Sequence, residues 1–275
     1  MATIGIVTGS GIYRIGKRER TAQREVSTPY GAVRLAEATV GRRRIFVVAR
    51  HGWRHERLSH QVQHRANLWA LREAGVQAVL ATSVVGLLDA EAPVATPIVF
   101  DDLYFPSNRL PGGRPATFFD TPGDRLRGHL ILSTPFSPTL RRLLLSAARQ
   151  EGYEVLDGGC YVHSEGPRFN TRAEIGALRA IGGLAVSQTC GPEAVLAGEL
   201  ELPYALLGFG VDYASGVAAA PTPPEELTAN LELHRTVARR ILFRLIEDLP
   251  EAPKLPFDTG FVFRMEGIAD ADHAG

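Results

Sequence analysis

The stretch RIFVVARHG, residues 44–52, decides how the chain is read. Its centre, IFVVA, is apolar at every position, so neither side of an extended strand would be polar. That pattern suits a central strand covered on both faces by other layers. YALLGFGV at 204–211 has the same character, and TIGIVT at 3–8 is a further strand candidate. Further strand candidates fall at 32–40, 78–84, 96–102, 160–165 and 184–188. Helical periodicity alternates with them, predicting helices over about 59–75, 138–151, 171–180 and 224–248. In the first, Ser59 is the candidate cap and Val62, Ala66, Trp69 and Ala70 form the inner stripe. Strands alternating with helices predict an α/β fold.

Composition narrows the function classes. The 275 residues can bury a full core, and 45% apolar with 22% charged residues is ordinary for a globular protein. A net charge of +0 provides no global field to draw in nucleic acid or an anionic membrane, and only a local basic site remains open. Cys160 and Cys190 are too few for a disulfide framework and read as small half-buried apolar residues. The opening MATIGIVTGSG lacks a basic leader, and no apolar run reaches spanning length, so a cytoplasmic protein is expected. Residues 103–128 are rich in Gly, Pro and Arg and read as a long loop, of the kind that carries function or a subunit contact. Without a linker or repeat, one domain is expected over 1–250, followed by a tail at 251–275.

Candidate chemistry gathers at strand ends, where ligands of open α/β sheets bind. TGSG at 8–11 follows one strand; its glycines could let backbone amides converge on an anion or simply punctuate a turn. Arg50 and His51 follow another, and an arginine fork there suits phosphate or carboxylate. Thr82-Ser83 and Thr189 close two more. Together these four signals point to one phosphate-sized anion site. The segment 50–64 also holds four of the eight histidines, spaced i,i+4 as His51/His55 and His60/His64. Metal binding is the competing reading, but Gly52 interrupts a helix, HExxH is absent, and Arg50, Arg54 and Arg65 would repel a dication. His60 and His64 are then expected on the exposed side of their helix.

Two further segments are ambiguous on their own. In SEGPRFNTRAE, 164–174, Asn170 can cap the next helix, while Phe169 is either a core staple or a flat face for an aromatic ligand. In GVDYASG, 210–216, Asp212 ends a buried strand as a turn residue or as a proton-handling carboxyl with a raised pKa.

TGSG, ARHG, HQVQHRANLWALREAGV, EGPRF with RAE, QTCGPEAVLA and VDY occur in that order, and with them the chain resembles the trimeric purine nucleoside phosphorylases, in the 5′-methylthioadenosine phosphorylase branch. The resemblance implies a nucleoside phosphorylase fold: a single α/β domain with a central mixed, partly barrel-like β-sheet flanked by helices. It implies a homotrimer, or a dimer of trimers, and no cofactor, inorganic phosphate being a co-substrate. Ser10, Arg50, His51, Ser83, Val84 and Thr189 correspond to phosphate contacts. Phe169, Asn170, Gln188, Asp212, Ala214 and His129 correspond to nucleoside contacts, with Asp212 as the acid that protonates the departing base. His129 would reach a neighbouring subunit's site. The implied reaction converts 5′-methylthioadenosine to adenine and 5-methylthioribose 1-phosphate. Asp212 and Asn170, where 6-oxopurine enzymes of the family carry Asn and Glu, favour a 6-aminopurine. Ala214 replaces an acidic residue of that branch and keeps 6-oxopurine nucleosides or 5′-methylthioinosine as the alternative. Gln188 stands where the family has Met. A purine-binding protein without turnover is the non-enzymatic reading.

Overall fold

The computed structural model describes residues 2–9, 22–124, 127–249 and 255–264. In chain order the strands and helices are β1 Ile4–Thr8, β2 Ala22–Thr28, β3 Gly31–Val40, β4 Arg43–Ala49, α1 His64–Glu73, β5 Ala78–Leu87, β6 Pro97–Val99, β7 Asp102–Tyr104, β8 Gly128–Leu132, α2 Pro138–Gln150, β9 Leu156–Asp157, β10 Cys160–His163, α3 Arg172–Ala180, β11 Gly183–Ser187, α4 Cys190–Glu199, β12 Tyr204–Tyr213, α5 Pro224–Asp248 and β13 Gly260–Arg264. They form a single α/β domain around a mixed sheet, with β8 and β13 paired as a separate antiparallel ribbon.

The sheet forks at β5. Strand β1 runs parallel between β4 and β5, with Ile4 opposite both Ile45 and Ala78. β3 and β2 extend that side antiparallel. On its other edge β5 is followed in parallel by β12 from Val79 to Leu87. β1 leaves β5 after Ala81, and the same edge is next taken by β11, antiparallel, from Gly86. Among the described residues no strand pairs with that edge from Thr82 to Val85, and its backbone groups are open to other donors and acceptors.

Burial explains the layers. The strand runs apolar on both faces are buried throughout: β1 completely, β4 at all but Arg44, β12 up to Val211. On one face α2 and α5 contribute Leu140, Leu144, Val237, Ile241 and Leu245 against Ile4, Ile45, Leu80 and Leu207. On the other, α1 and α4 set Leu68, Leu71 and Leu196 against Val7, Phe46 and Val79. Each such side chain stabilises the fold by about 1.5–3 kcal/mol. Three helices lie where periodicity puts them, and the caps say why. Ser137 accepts from the Leu140 amide with Pro138 in the first turn, and Pro224, Glu225 and Glu226 open α5.

The expected helix over 59–75 is broken. A 3₁₀ turn at Ser59–Gln61 is followed by extended Val62, and α1 starts at His64. The Ser59 hydroxyl does not cap; it donates to Gln188 Oε1 at 2.7 Å. The long loop is pinned rather than free. Glu199 of α4 accepts from the Thr117 hydroxyl and the Phe118 amide, both at 2.6 Å, and Phe118 packs among Tyr30 and Trp69. No helix among the described residues is long and apolar enough to cross a membrane.

Candidate active site

The open edge of β5 becomes one wall of a cavity of about 900 Å³. Arg50 leaves β4 next to the end of β1, its amide donating to the Thr8 carbonyl at 3.0 Å. Its side chain is only 1% exposed. Nε and Nη2 grip Glu193 of α4 at 2.5 and 2.8 Å, and Nη1 donates to the unpaired Thr82 carbonyl at 2.8 Å. Gly9 passes so close that a Cβ there would lie 3.0 Å from Nη1, which is a steric reason for glycine after β1.

Around this point hydroxyls and an imidazole converge. Ser83 Oγ donates to the Val84 carbonyl at 3.0 Å and sits 3.3 Å from Ser187 Oγ across the gap. Thr189 precedes α4 with its hydroxyl free of capping duty. The first amides of that helix are already taken. Those of Thr189 and Cys190 donate to the Tyr161 hydroxyl at 3.4 and 3.2 Å, and that of Gly191 to His163 Nδ1 at 3.4 Å. An anion here would therefore meet the Thr189 hydroxyl rather than the helix-end amides. His51 lies 3.0 Å through Nδ1 from the Arg57 carbonyl, which only accepts, so Nδ1 carries the proton. Burial and the Arg50 charge push its pKa down to about 4, leaving a neutral ring with Nε2 as an acceptor. Such an atom can accept a hydrogen bond from an O–H of a ligand.

Farther along the same cavity, Asp212 follows a register shift in β12 that sets it opposite Gly86. Burial pushes its carboxyl up to about 6. Among the described residues no side chain is hydrogen-bonded to it. Ala214, Asn170 and Phe169 line the wall beside it. Thr171, not Asn170, caps α3, in a reciprocal box with Glu174, so the Asn170 amide is released to the cavity. Phe169 is 84% exposed, which rules out a core staple and leaves a bare aromatic face at the rim. Gln188 is committed at both ends, Oε1 to Ser59 and Nε2 to the Arg168 carbonyl at 2.9 Å, and ties two rim turns together. Leu227 and Leu231 of α5 close an apolar corner.

Of the candidate residues, Arg50, His51, Ser83, Val84, Thr189, Phe169, Asn170, Gln188, Asp212 and Ala214 all line this one cavity. Ser10 lies outside the described residues. His129 is exposed on β8, outside the cavity of its own chain. His64 is not on an exposed face; it is 2% exposed, with Nδ1 3.8 Å from Glu193 Oε1. Burial and Arg50 push it down to about 3, so it packs as a neutral ring. Among the described residues no three His, Cys, Asp or Glu side chains are grouped to hold a metal. Sequence reasoning missed Ser187, Tyr161 and Glu193. Ser187 had a signal, a hydroxyl in the strand-end run SQT; Glu193 had another, an acid inside the apolar run PEAVLA. Tyr161 had none, since its role exists only once β10 meets the start of α4.

The model of a family described as the phosphorylase superfamily matches residues 3–247. The chain is 37% identical over 261 residues to a 6-oxopurine nucleoside phosphorylase of Pyrococcus furiosus, covering 92% of this chain and 94% of that one. It is 38% identical over 260 residues to a probable S-methyl-5′-thioinosine phosphorylase of Methanopyrus kandleri, covering 93% and 96%. Among solved structures, it superposes on the methylthioadenosine phosphorylase of Schistosoma mansoni in complex with adenine, with a TM-score of 0.80 at 27% identity, over 90% of this chain and 91% of that chain.

Proposed function

The chain belongs to the phosphorylase superfamily, and on that premise we propose that it cleaves the N-glycosidic bond of a purine nucleoside with inorganic phosphate, as a pentosyltransferase without a further cofactor. One observation carries the reading. A single cavity joins the cradle of Gly9, Arg50, His51, Ser83 and Thr189 to the desolvated carboxyl of Asp212 and the bare ring of Phe169. The cradle holds phosphate beneath C1′ of the ribose. As the C1′–N9 bond lengthens, the sugar becomes cationic and the purine anionic. The bound phosphate stabilises the first charge and closes on C1′. Asp212, protonated, donates to N7 and stabilises the second. Phe169 offers its face to the purine, and the Leu227–Leu231 corner suits an apolar 5′ substituent.

The first substrate is 5′-methylthioadenosine, giving adenine and 5-methylthioribose 1-phosphate, because the Asn170 amide oxygen and the carbonyl oxygen of the Asp212 carboxyl can accept from a 6-amino group, a donor that a 6-oxo base lacks. A 6-oxo base, as in 5′-methylthioinosine, is the second reading. It is favoured by Ala214, which supplies no acceptor for an amine, and by the names of the two relatives. The ratio of kcat/KM for the two thio-nucleosides separates them. A preference for the adenine compound of about tenfold or more is expected, and the reverse ratio transfers the enzyme to the second reading.

Assembly as a homotrimer is part of the proposal. The ribbon pairs Phe261 with Ile131 and Phe263 with His129, and all four are exposed on one face. An apolar face of this kind, with a histidine on it, supports burial against another copy of the chain. Light scattering should give close to three chain masses of 29.8 kDa; a single chain mass would remove His129 from any neighbour's site.

A further inference from the structure

Glu193 has no part in the reaction described above, yet it is fully buried beside the anion cradle. A guanidinium has five N–H donors in a fixed fork. In Arg50, the Nε hydrogen and one on Nη2 go to Glu193 at 2.5 and 2.8 Å. The other on Nη2 faces Cys190 Sγ at 3.5 Å, and one on Nη1 goes to the Thr82 carbonyl at 2.8 Å. Among the described residues a single N–H is left without a partner, on Nη1, the atom that Gly9 approaches; Gly9 and Arg50 both line the cavity. Glu193 is itself held, accepting from the Tyr204 hydroxyl at 3.0 Å while His64 stands behind it at 3.8 Å.

We propose that Glu193, braced by Tyr204, is the positioning residue of the phosphate site: it locks Arg50 so that one Nη1 N–H meets the anion, and it cancels the arginine charge. The inference rests on the phosphate reading of the cavity. It has a chemical consequence. A cradle with an uncompensated cation would draw down the negative charge that the ribosyl cation needs. With Arg50 paired, orientation comes from fixed donors while the anion keeps its charge for C1′.

The test is a pair of variants in the full chain, read by initial rates against inorganic phosphate and against nucleoside. Glu193→Gln keeps the shape but puts an amide N–H where a fork acceptor stood, so Arg50 loses one of its two contacts. The phosphate KM is expected to rise by about tenfold or more, with the nucleoside KM within about twofold. Tyr204→Phe leaves the ion pair intact and removes only the brace; a smaller rise of a few fold, again confined to phosphate, is expected. This second variant keeps the inference open to refutation should Glu193→Gln fail to fold. Unchanged phosphate KM in both, or equal shifts in both substrates' KM, would make Glu193 a structural ion pair only and overturn the proposal. Loss of phosphate dependence in the unmodified protein would instead overturn the phosphorylase reading, so the two failures are distinct.

Discussion

An Arg50→Ala variant is expected to lose about 3–5 kcal/mol of stability, because it leaves the Glu193 carboxylate buried without its cation. Activity that survives should show a phosphate KM raised by at least tenfold to a hundredfold, since the cradle loses its charge-assisted N–H. Arg50→Lys should not restore either property. A lysine can fill neither the two-point contact to Glu193 nor the bond to the Thr82 carbonyl at the same time. Urea unfolding and initial rates across a phosphate series check both. A folded Arg50→Ala enzyme with an unchanged phosphate KM would remove Arg50 from the anion site.

Removing the carboxyl of Asp212 is expected to act on the other half of the reaction. Asp212→Ala should lower kcat by about 10²–10³, the usual contribution of a placed general acid, and leave the phosphate KM within about twofold. The pH profile gives a sharper signature. Burial raises the Asp212 carboxyl to about 6, so its protonated form is lost as the pH rises through that value. kcat/KM for the nucleoside should therefore fall on the alkaline side of about 6, and this limb should vanish in Asp212→Asn. His51, held near 4, is neutral throughout that range and supplies no competing limb. The same shift has a stability cost. Between the ordinary value of 3.8 and about 6 the folded protein holds a proton that the unfolded chain releases. Stability is thus greatest below that window and declines as the pH rises through it. Asp212→Asn should accordingly gain about 1–2 kcal/mol at neutral pH, after allowance for its partial exposure, while losing activity. Urea unfolding at pH 5 and pH 7.5 reads it; an unchanged difference between variant and parent would refute the raised pKa.

Much of this molecule was legible because its central strands are apolar on both faces and their ends carry polar residues that a buried strand would not. IFVVA followed by Arg50-His51, and YALLGFGV followed by Asp212, mark both the sheet and the cavity mouth. Helix α4 was not legible. All its residues except Val195 are buried, so no polar face breaks the apolar run and no 3.6-residue period appears. The cap at Ser59 failed for a tertiary reason, since its hydroxyl has a partner 129 residues away in Gln188. β6 lies within the run read at 96–102, whereas the two-residue β9 and the three-residue β7 are too short for a period-two signal. The ribbon strand β13 fell in a segment read only as a tail, because its partner β8 is remote in sequence. Within the site, the residues at strand ends were readable one by one. The partners that orient them were not, since Tyr161 under Thr189 and Glu193 under Arg50 come together only through the meeting of β4, β10 and α4.

The central claim is that phosphate, not water, takes the sugar. Its most direct measurement is phosphorus NMR of the products formed from 5′-methylthioadenosine or 5′-methylthioinosine, incubated with the protein in the presence and absence of inorganic phosphate. A sugar 1-phosphate resonance that grows in step with released purine is expected, with no release without phosphate. Purine released at the same rate in phosphate-free buffer, with the inorganic phosphate signal undiminished, would contradict it.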